Sequence, residues 1–254
     1  MTEFHRPTLA LIGYGNMGRE IEQAALANGY PVNAIIDTKY VGHSLPLSEA
    51  TLKDVDVCIE FTSPDAVFEN ITAVASCRKN MVVGTTGWLH RLDEVRSLVE
   101  GNGIGLVHAS NFSIGIHVFL KVLSVASRIF NAYEQYDVAV QEIHHTQKKD
   151  APSGTALSIA RAILRDFPRK TTIVSDRPDG PPSPDQLLVS STRVGAVPGT
   201  HRVLFDSGPD SVELVHTARN RRGFADGALL AASWIRDKKG IFTIEDMLHD
   251  FESV

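Results

Sequence analysis

Two short stretches of the chain combine residue types and spacings that can do chemistry. The first is Gly13, Gly15 and Gly18 in "IGYGNMG", a G-x-G-x-x-G that follows an apolar run and opens a helical pattern. Such a loop suits a dinucleotide pyrophosphate. The first glycine permits a tight turn, the second lets backbone approach the phosphates, the third packs helix on sheet, and the unpaired N–H groups of the helix start face the negative charge. Asp37 ends the next apolar run, 19 residues after Gly18, where an acid accepts hydrogen bonds from adenosine ribose hydroxyls. Asp37 repels a 2'-phosphate while Lys39 attracts one, so NADH and NADPH are both expected to serve. The second stretch is "EIHHTQKKDAPSGTA", residues 142–156, with His144, His145, Lys148 and Lys149 ahead of a helix start. Ser153 is placed to cap that helix and Pro152 to fix its entry, leaving the N–H groups of Gly154, Thr155 and Ala156 for an anion. Proton donors, cations and amide N–H groups together suit an anionic substrate whose transition state gathers more negative charge.

The elements that must position these residues follow from hydrophobic period. Residues 8–13, 32–37, 55–61, 81–86 and 105–110 read as short strands separated by helix-length segments, one of them capped by Ser63 with Pro64 in its first turn and Ala66, Val67, Ile71, Val74 and Ala75 as its apolar face. This pattern predicts an α/β fold with a doubly wound, Rossmann-type parallel sheet. The turns "FTSP" and "GTTG" sit at the carboxyl ends of such strands, which makes Phe61, Thr62, Gly84, Thr85 and Thr86 candidate cofactor contacts. Residues 113–130 read as one long helix leading out of this domain, 136–145 as a strand and 155–167 as a helix. The four prolines of 176–186 exclude regular structure there. The runs "HRVLFDSG" and "SVELVHT" add strands, so an α+β second domain is expected, and "FADGALLAASWIRD" returns to helix. Alternation along 136–145 sends His144 and His145 to opposite faces.

Composition narrows the function class. The chain has 254 residues, 43% of them hydrophobic, and a net charge of -5, which argues against a general nucleic-acid binder. The apolar run before the first glycines is too short for a membrane span or signal core, so a cytoplasmic location without membrane partners is expected. Cys58 and Cys77 have no CxxC spacing and read as small buried hydrophobes. No carboxylate or cysteine cluster surrounds the histidines at ligand spacing, so no metal is expected.

The residues 142–156 resemble the E-x-H-H-x-x-K-x-D-x-P-S-G-T-A signature of the dihydrodipicolinate reductase family, the 4-hydroxy-tetrahydrodipicolinate reductases of the diaminopimelate route to lysine. The likeness extends to the glycine loop, "GTTG", "ASNFSIG" (109–115), "RVGAVPGTHRVLF" (193–205) and "HTARNRRGFADGA" (216–228). It implies a nicotinamide-dependent reduction of a small cyclic dicarboxylate, with His144 and Lys148 as the catalytic residues. His145, Gly154 and Thr155 fall on substrate positions, with Arg221 near them. Gly13, Tyr14, Gly15, Asn16, Met17, Gly18, Asp37, Gly84 to Thr86 and Ala109, Ser110, Asn111 and Phe112 fall on cofactor positions. The resemblance further implies a dinucleotide-binding domain of residues 1–111 completed by 217–254. A substrate and tetramerisation domain of 112–216 is inserted into it, and the assembly is a homotetramer joined through the substrate-domain sheets. The chain departs from many members in its shorter "GYGNMG" loop, where Asn16 stands in place of a basic residue, and in Thr38, where some have arginine. Two other classes fit a glycine loop: a dehydrogenase of another small carboxylate or polyol, and a non-catalytic NAD(P) sensor. The first usually carries an E-K-P lysine motif, where this chain has "VVGTTGW" and "LVHASNF"; the second has no need of His144 and Lys148.

Overall fold

The computed structural model describes residues 6–38, 45–175 and 180–252; Lys39 lies outside them. The chain forms two compact units, Met1–Ser113 with Arg221–Val254, and Ile114–Asn220. In the first unit β1 (Leu9–Ile12), α1 (Asn16–Ala27), β2 (Val32–Ile36), α2 (Glu49–Leu52), β3 (Val57–Glu60), α3 (Val67–Ser76), β4 (Asn80–Val83), α4 (Leu92–Asn102) and β5 (Gly105–His108) alternate. Among the described residues the sheet runs β11-β5-β4-β3-β1-β2 with every pair parallel, β11 being a later strand, Gly240–Thr243. Strands β1 and β3 are buried at every residue because helices cover both faces, which is why their sequences are near-continuous apolar runs. Chain direction across the sheet reverses at β1 and β3, so the loops after these two strands flank the switch point where such sheets bind ligands. Each fully buried Leu or Ile of this core contributes about 1.5–3 kcal/mol.

Three expectations need correction here. The strands stop earlier than their apolar runs, at Ile12, Glu60, Val83 and His108, because Gly13, Phe61, Gly84 to Thr86, and Ala109 and Ser110 belong to the loops. The helix assigned to Ser63 begins at Val67 instead: residues 64–66 form a turn, and the Ser63 carbonyl, not its hydroxyl, accepts from the N–H groups of Ala66 and Val67. Cys58 is buried and its thiol is pushed up to about 12 by burial, but Cys77 is only partly covered.

The second unit comprises α5 (Ile114–Asn131), β6 (Asp137–His144), α6 (Gly154–Asp166), β7 (Thr172–Val174), β8 (Gln186–Arg193), β9 (Thr200–Asp206) and β10 (Ser211–Thr217). Its sheet, in order β10-β9-β6-β8-β7, is mixed: β6 runs antiparallel to β9 and parallel to β8. Helices α5 and α6 bury Phe119, Leu123, Ile159 and Ile163 against Val138, Val140, Val189, Val203 and Phe205 of the sheet. Period-two alternation carries this core-facing row of β6 from Val138 and Val140 on to Glu142 and His144. Helix α5 is long and apolar enough by length and composition to cross a membrane, yet Phe119 and Leu123 pack into this core. Its other face presents Val118, Val122, Val125 and Ile129, each about half exposed.

After β10 the chain returns to the first unit as α7 (Arg222–Ile235), β11 and α8 (Ile244–Glu252). A Cβ on Gly227 would stand 1.7 Å from the Phe112 carbonyl oxygen, so only glycine lets α7 close on the segment where the chain leaves that unit.

Candidate active site

In the first unit the glycine loop is shaped by backbone. Gly13 has φ +92°, and a Cβ there would lie 2.1 Å from the Phe61 carbonyl oxygen; a Cβ on Gly18 would lie 2.2 Å from the Gly13 carbonyl. The third glycine thus packs against the loop itself, not against the sheet. Gly15 has open space around its Cα and is the N-cap of α1, with no side chain bonded to the helix start. Backbone N–H groups at that end are available to phosphate. Asp37 Oδ2 accepts from the Tyr14 N–H at 2.6 Å, so the acid braces the loop as well as standing at its lip. The Tyr14 hydroxyl donates to Glu22.

Two concavities open beside this loop. One of about 270 Å³ is lined by Gly13, Gly15, Asp37, Thr38, Phe61 and Thr62. The other, about 350 Å³, is lined by Gly15, Asn16, Met17, Thr62 and Gly84 to Thr86. Gly13, Asn16, Asp37, Thr62 and Thr86 are therefore brought around one region, and the residues fit a dinucleotide. The Thr62 N–H donates to Thr85 Oγ1 at 2.7 Å, joining the loops after β3 and β4. The Phe61 ring packs on Gly84 and meets Phe112 edge-on at 6.1 Å. Phe112 itself is 2% exposed, so its side chain supports Phe61 from within, while Ser110 is exposed and Ala109 and Asn111 half-buried. Beneath these loops Glu60 is fully buried. Its Oε1 accepts from the Thr62 hydroxyl and from Asn70 Nδ2 (3.3 Å), and Oε2 has no hydrogen-bond partner. Burial outweighs the hydrogen bonds from Thr62, Thr85 and Asn70 and raises its pKa above the ordinary carboxylate value.

In the second unit the site is built from charged side chains. Ser153 caps α6, its hydroxyl accepting from the Ala156 N–H at 3.1 Å; Gly154 is exposed and Thr155 half-buried at the helix start. His144 is 7% exposed and its Nδ1 lies 2.8 Å from Glu142 Oε2. The other oxygen, Glu142 Oε1, accepts from the Ser153 N–H (3.0 Å), the Ser191 hydroxyl (2.7 Å) and Arg193 Nη2 (2.9 Å). Burial alone would raise the Glu142 pKa, but these donors hold it down to about 2. Burial lowers the His144 pKa; Glu142 pulls it up, and Lys148 and Arg193 push it down again. His201, opposite Glu142 on β9, meets the His144 ring edge-on at 5.2 Å, and its Nε2 is 3.2 Å from Ser153 Oγ. Burial, then the neighbouring His144, lowers its pKa to about 4, so it is neutral at ordinary pH. Lys148 pairs with Asp150 at 2.7 Å.

The structure thus brings His144, Lys148 and the α6 start together and leaves His145 half-buried one residue past the strand. Arg221 is exposed at the start of α7 and belongs to the first unit. Sequence reasoning missed Glu142, His201, Arg193 and Ser191. It also missed that Glu142, His144 and His201 place potential ligand atoms within 4.8 Å of one another, so a carboxylate does accompany the histidines.

Two family models, dihydrodipicolinate reductase N-terminus and C-terminus, match residues 8–112 and 115–248. The chain belongs to the dihydrodipicolinate reductase family. A 4-hydroxy-tetrahydrodipicolinate reductase of Christiangramia forsetii is 37% identical over 242 residues, covering 95% of this chain and 98% of the relative. One of Methanococcoides burtonii is 34% identical, with 92% and 86% covered. Among solved structures, the dipicolinate-bound dihydrodipicolinate reductase from Paenisporosarcina sp. TG-14 superposes with a TM-score of 0.76 at 26% identity, covering 94% of this chain and 98% of that one. Like other dihydrodipicolinate reductases the chain is an oxidoreductase built on a Rossmann-type unit, which implies a nicotinamide cofactor.

Proposed function

We propose that the chain reduces 4-hydroxy-tetrahydrodipicolinate, by way of dihydrodipicolinate, to tetrahydrodipicolinate in the diaminopimelate route to lysine, using NADH or NADPH and releasing water. The observation that carries this reading is the meeting of His144 and the Ser153-capped start of α6 on one buried carboxylate, with Lys148, paired to Asp150, close enough to act on the His144 charge. When bound, the reduced nicotinamide supplies a hydride to C4 of the conjugated imine left by loss of the hydroxyl. Hydride addition drives negative charge to the far atoms of the ring, so a proton must arrive there. His144 or Lys148 delivers it. The N–H groups of Gly154 and Thr155 hold one substrate carboxylate with Lys148 beside them, His145 lines the same site, and Arg221 meets the substrate. The glycine loop from Gly13 to Gly18 takes the pyrophosphate, Asp37 the ribose, and Phe61, Thr62, Gly84 to Thr86 and Ala109 to Phe112 border the nicotinamide.

Asn16 and Thr38 supply no cation for a 2'-phosphate, while Asp37 repels one and Lys39 attracts one. Dual use of NADH and NADPH follows, and a preference above about a thousandfold, roughly 4 kcal/mol, would contradict it. The exposed face of the second-unit sheet joins copies into a cytoplasmic homotetramer. The deciding assay generates the substrate in place from pyruvate and aspartate semialdehyde with a synthase and follows NADH or NADPH absorbance. Loss of absorbance that depends on both precursors is expected, and its absence at high enzyme concentration would overturn the reading.

A further inference from the structure

Glu142 has no part in the proton transfer and hydride acceptance described above, yet His144 and the capped start of α6 both converge on it. We propose that Glu142 is a positioning residue: one buried carboxylate holds the Nδ1 side of His144 and the backbone N–H of Ser153 at the same time. In this way it fixes the imidazole that carries the proton against the helix start that receives a substrate carboxylate. The inference rests on the reductase reading and deepens it.

The geometry is specific. Glu142 and His144 lie two apart on β6 and so share a face. Glu142 Oε2 and His144 Nδ1, 2.8 Å apart, are both buried and have no other hydrogen-bond partner. The contact is off the in-line direction of an N–H bond, and contacts of this kind tighten when substrate binds. Three donors, from Ser153, Ser191 and Arg193, occupy Oε1 and keep the carboxylate ionised with Oε2 left for the imidazole. With the Nδ1 proton held by Oε2, Nε2 is the atom that exchanges protons. In the reaction the imidazolium gives its Nε2 proton to the ring atom that has gained electron density from hydride addition, and ends as neutral imidazole with Nδ1–H still on Glu142. Solvent returns a proton to Nε2 before the next turnover, and no further oxidant or reductant is required. Gly199 faces that nitrogen, since a Cβ there would come within 2.9 Å of Nε2.

The groups facing the pair are Lys148 in the loop after β6, Arg193 on β8 and His201 on β9, with His216 on β10 beyond it. A divalent cation bound by Glu142, His144 and His201 would enter a pocket already holding the Arg193 guanidinium and influenced by Lys148. The charge balance therefore favours a proton over a metal.

The test is Glu142→Gln, which keeps shape and removes charge. Without the carboxylate the His144 pKa falls, so the fall in kcat with rising pH sets in at lower pH, by about one unit, and kcat at neutral pH drops about 10²-fold, the scale seen when a ligand-orienting carboxylate or triad acid is lost. The Kd for NADPH, read by its fluorescence, stays within about twofold. In a double variant with His144→Gln, Glu142→Gln adds no further loss, because it acts through that ring. An unshifted pH profile, or losses that multiply in the double variant, would overturn the proposal. Should Glu142→Gln not fold, 15N-histidine NMR of the wild-type protein decides: the neutral His144 ring is expected to carry its proton on Nδ1, and a proton on Nε2 would overturn the assignment. Failure of the wild type to consume substrate would sink the reductase reading instead, and leaves the NMR result standing by itself.

Discussion

Two glutamates, one in each unit, are fully shielded from solvent, and they are held in opposite states. Glu60, at the end of β3, has its pKa raised; Glu142, near the end of β6, has its pKa lowered to about 2. Burial is the largest influence on both and acts in the same direction. The difference lies in depth and in donors, Glu60 being set deeper in the protein than Glu142. Glu60 has only neutral partners, Thr62, Thr85 and Asn70, and its Oε2 has no hydrogen bond. Glu142 has a guanidinium, a hydroxyl and a backbone N–H on one oxygen and an imidazole against the other. Loss of solvent contact alone therefore does not set the charge of a site; depth and the charge of the donors set it together. The first unit surrounds its glycine loop mainly with backbone and hydroxyl groups, with Asp37 as the one acid at its lip among the described lining residues, and the second unit holds a web of ions around Glu142.

The comparison is sharpest in the pH dependence of stability. Glu142 has a depressed folded pKa, so its contribution is present above the unfolded value of 4.5 and is lost as pH falls through about 2. It amounts to something on the order of 3 kcal/mol. Urea unfolding of Glu142→Gln is expected to show a deficit of that size at pH 7 that narrows as pH falls below 4.5; a deficit constant down to pH 3 would show that the charge is not its source. Next in size, His144→Gln and Lys148→Ala are each expected to lower kcat about 10²-fold or more, equivalent to about 2.7 kcal/mol. Near-normal turnover in both would remove the chemistry from the second unit.

The reasons that some of this was readable in sequence and some was not are physical. Local signals survived. The glycines, the strand-two acid and the Ser153 cap each depend on neighbours within a few residues, and the two-unit order follows from period changes along the chain. The Glu142–His144 pair was also within reach, because alternation that parts His144 from His145 must put Glu142 and His144 on one face. His201, Ser191 and Arg193 were out of reach, since only the pairing of β6 with β9 and β8 brings them to Glu142. The short strand β11 holds three good strand formers, Ile241, Phe242 and Thr243, but at four residues its place is set by its pairing with β5.

Smaller effects probe the edges of the comparison. Ser153→Ala removes the α6 cap and is expected to cost about 1 kcal/mol and to raise KM for substrate with KM for the nicotinamide unchanged. Thermal unfolding and steady-state kinetics check both, and equal rises in the two KM values would argue against a local role. Smallest is Glu60→Gln. A raised folded pKa gives stability that is full below the unfolded value and is lost as pH rises, so this variant is expected to match the wild type near pH 4 and to gain on it towards pH 8. Loss of stability at pH 8 would mean that Glu60 is held as an ion, like its counterpart.

The close seat of Gly227 on the Phe112 carbonyl has a consequence for how the chain comes together. It holds the segment between β5 and α5, by which the chain leaves the first unit, against the returning helix α7, so Ile114–Asn220 leaves and re-enters at nearly one point. Closing a flexible loop on the order of a hundred residues costs about 4 kcal/mol from its length-dependent part. An insert already folded on its own core presents its ends together and removes most of that cost, so early folding of the second unit eases assembly of the first.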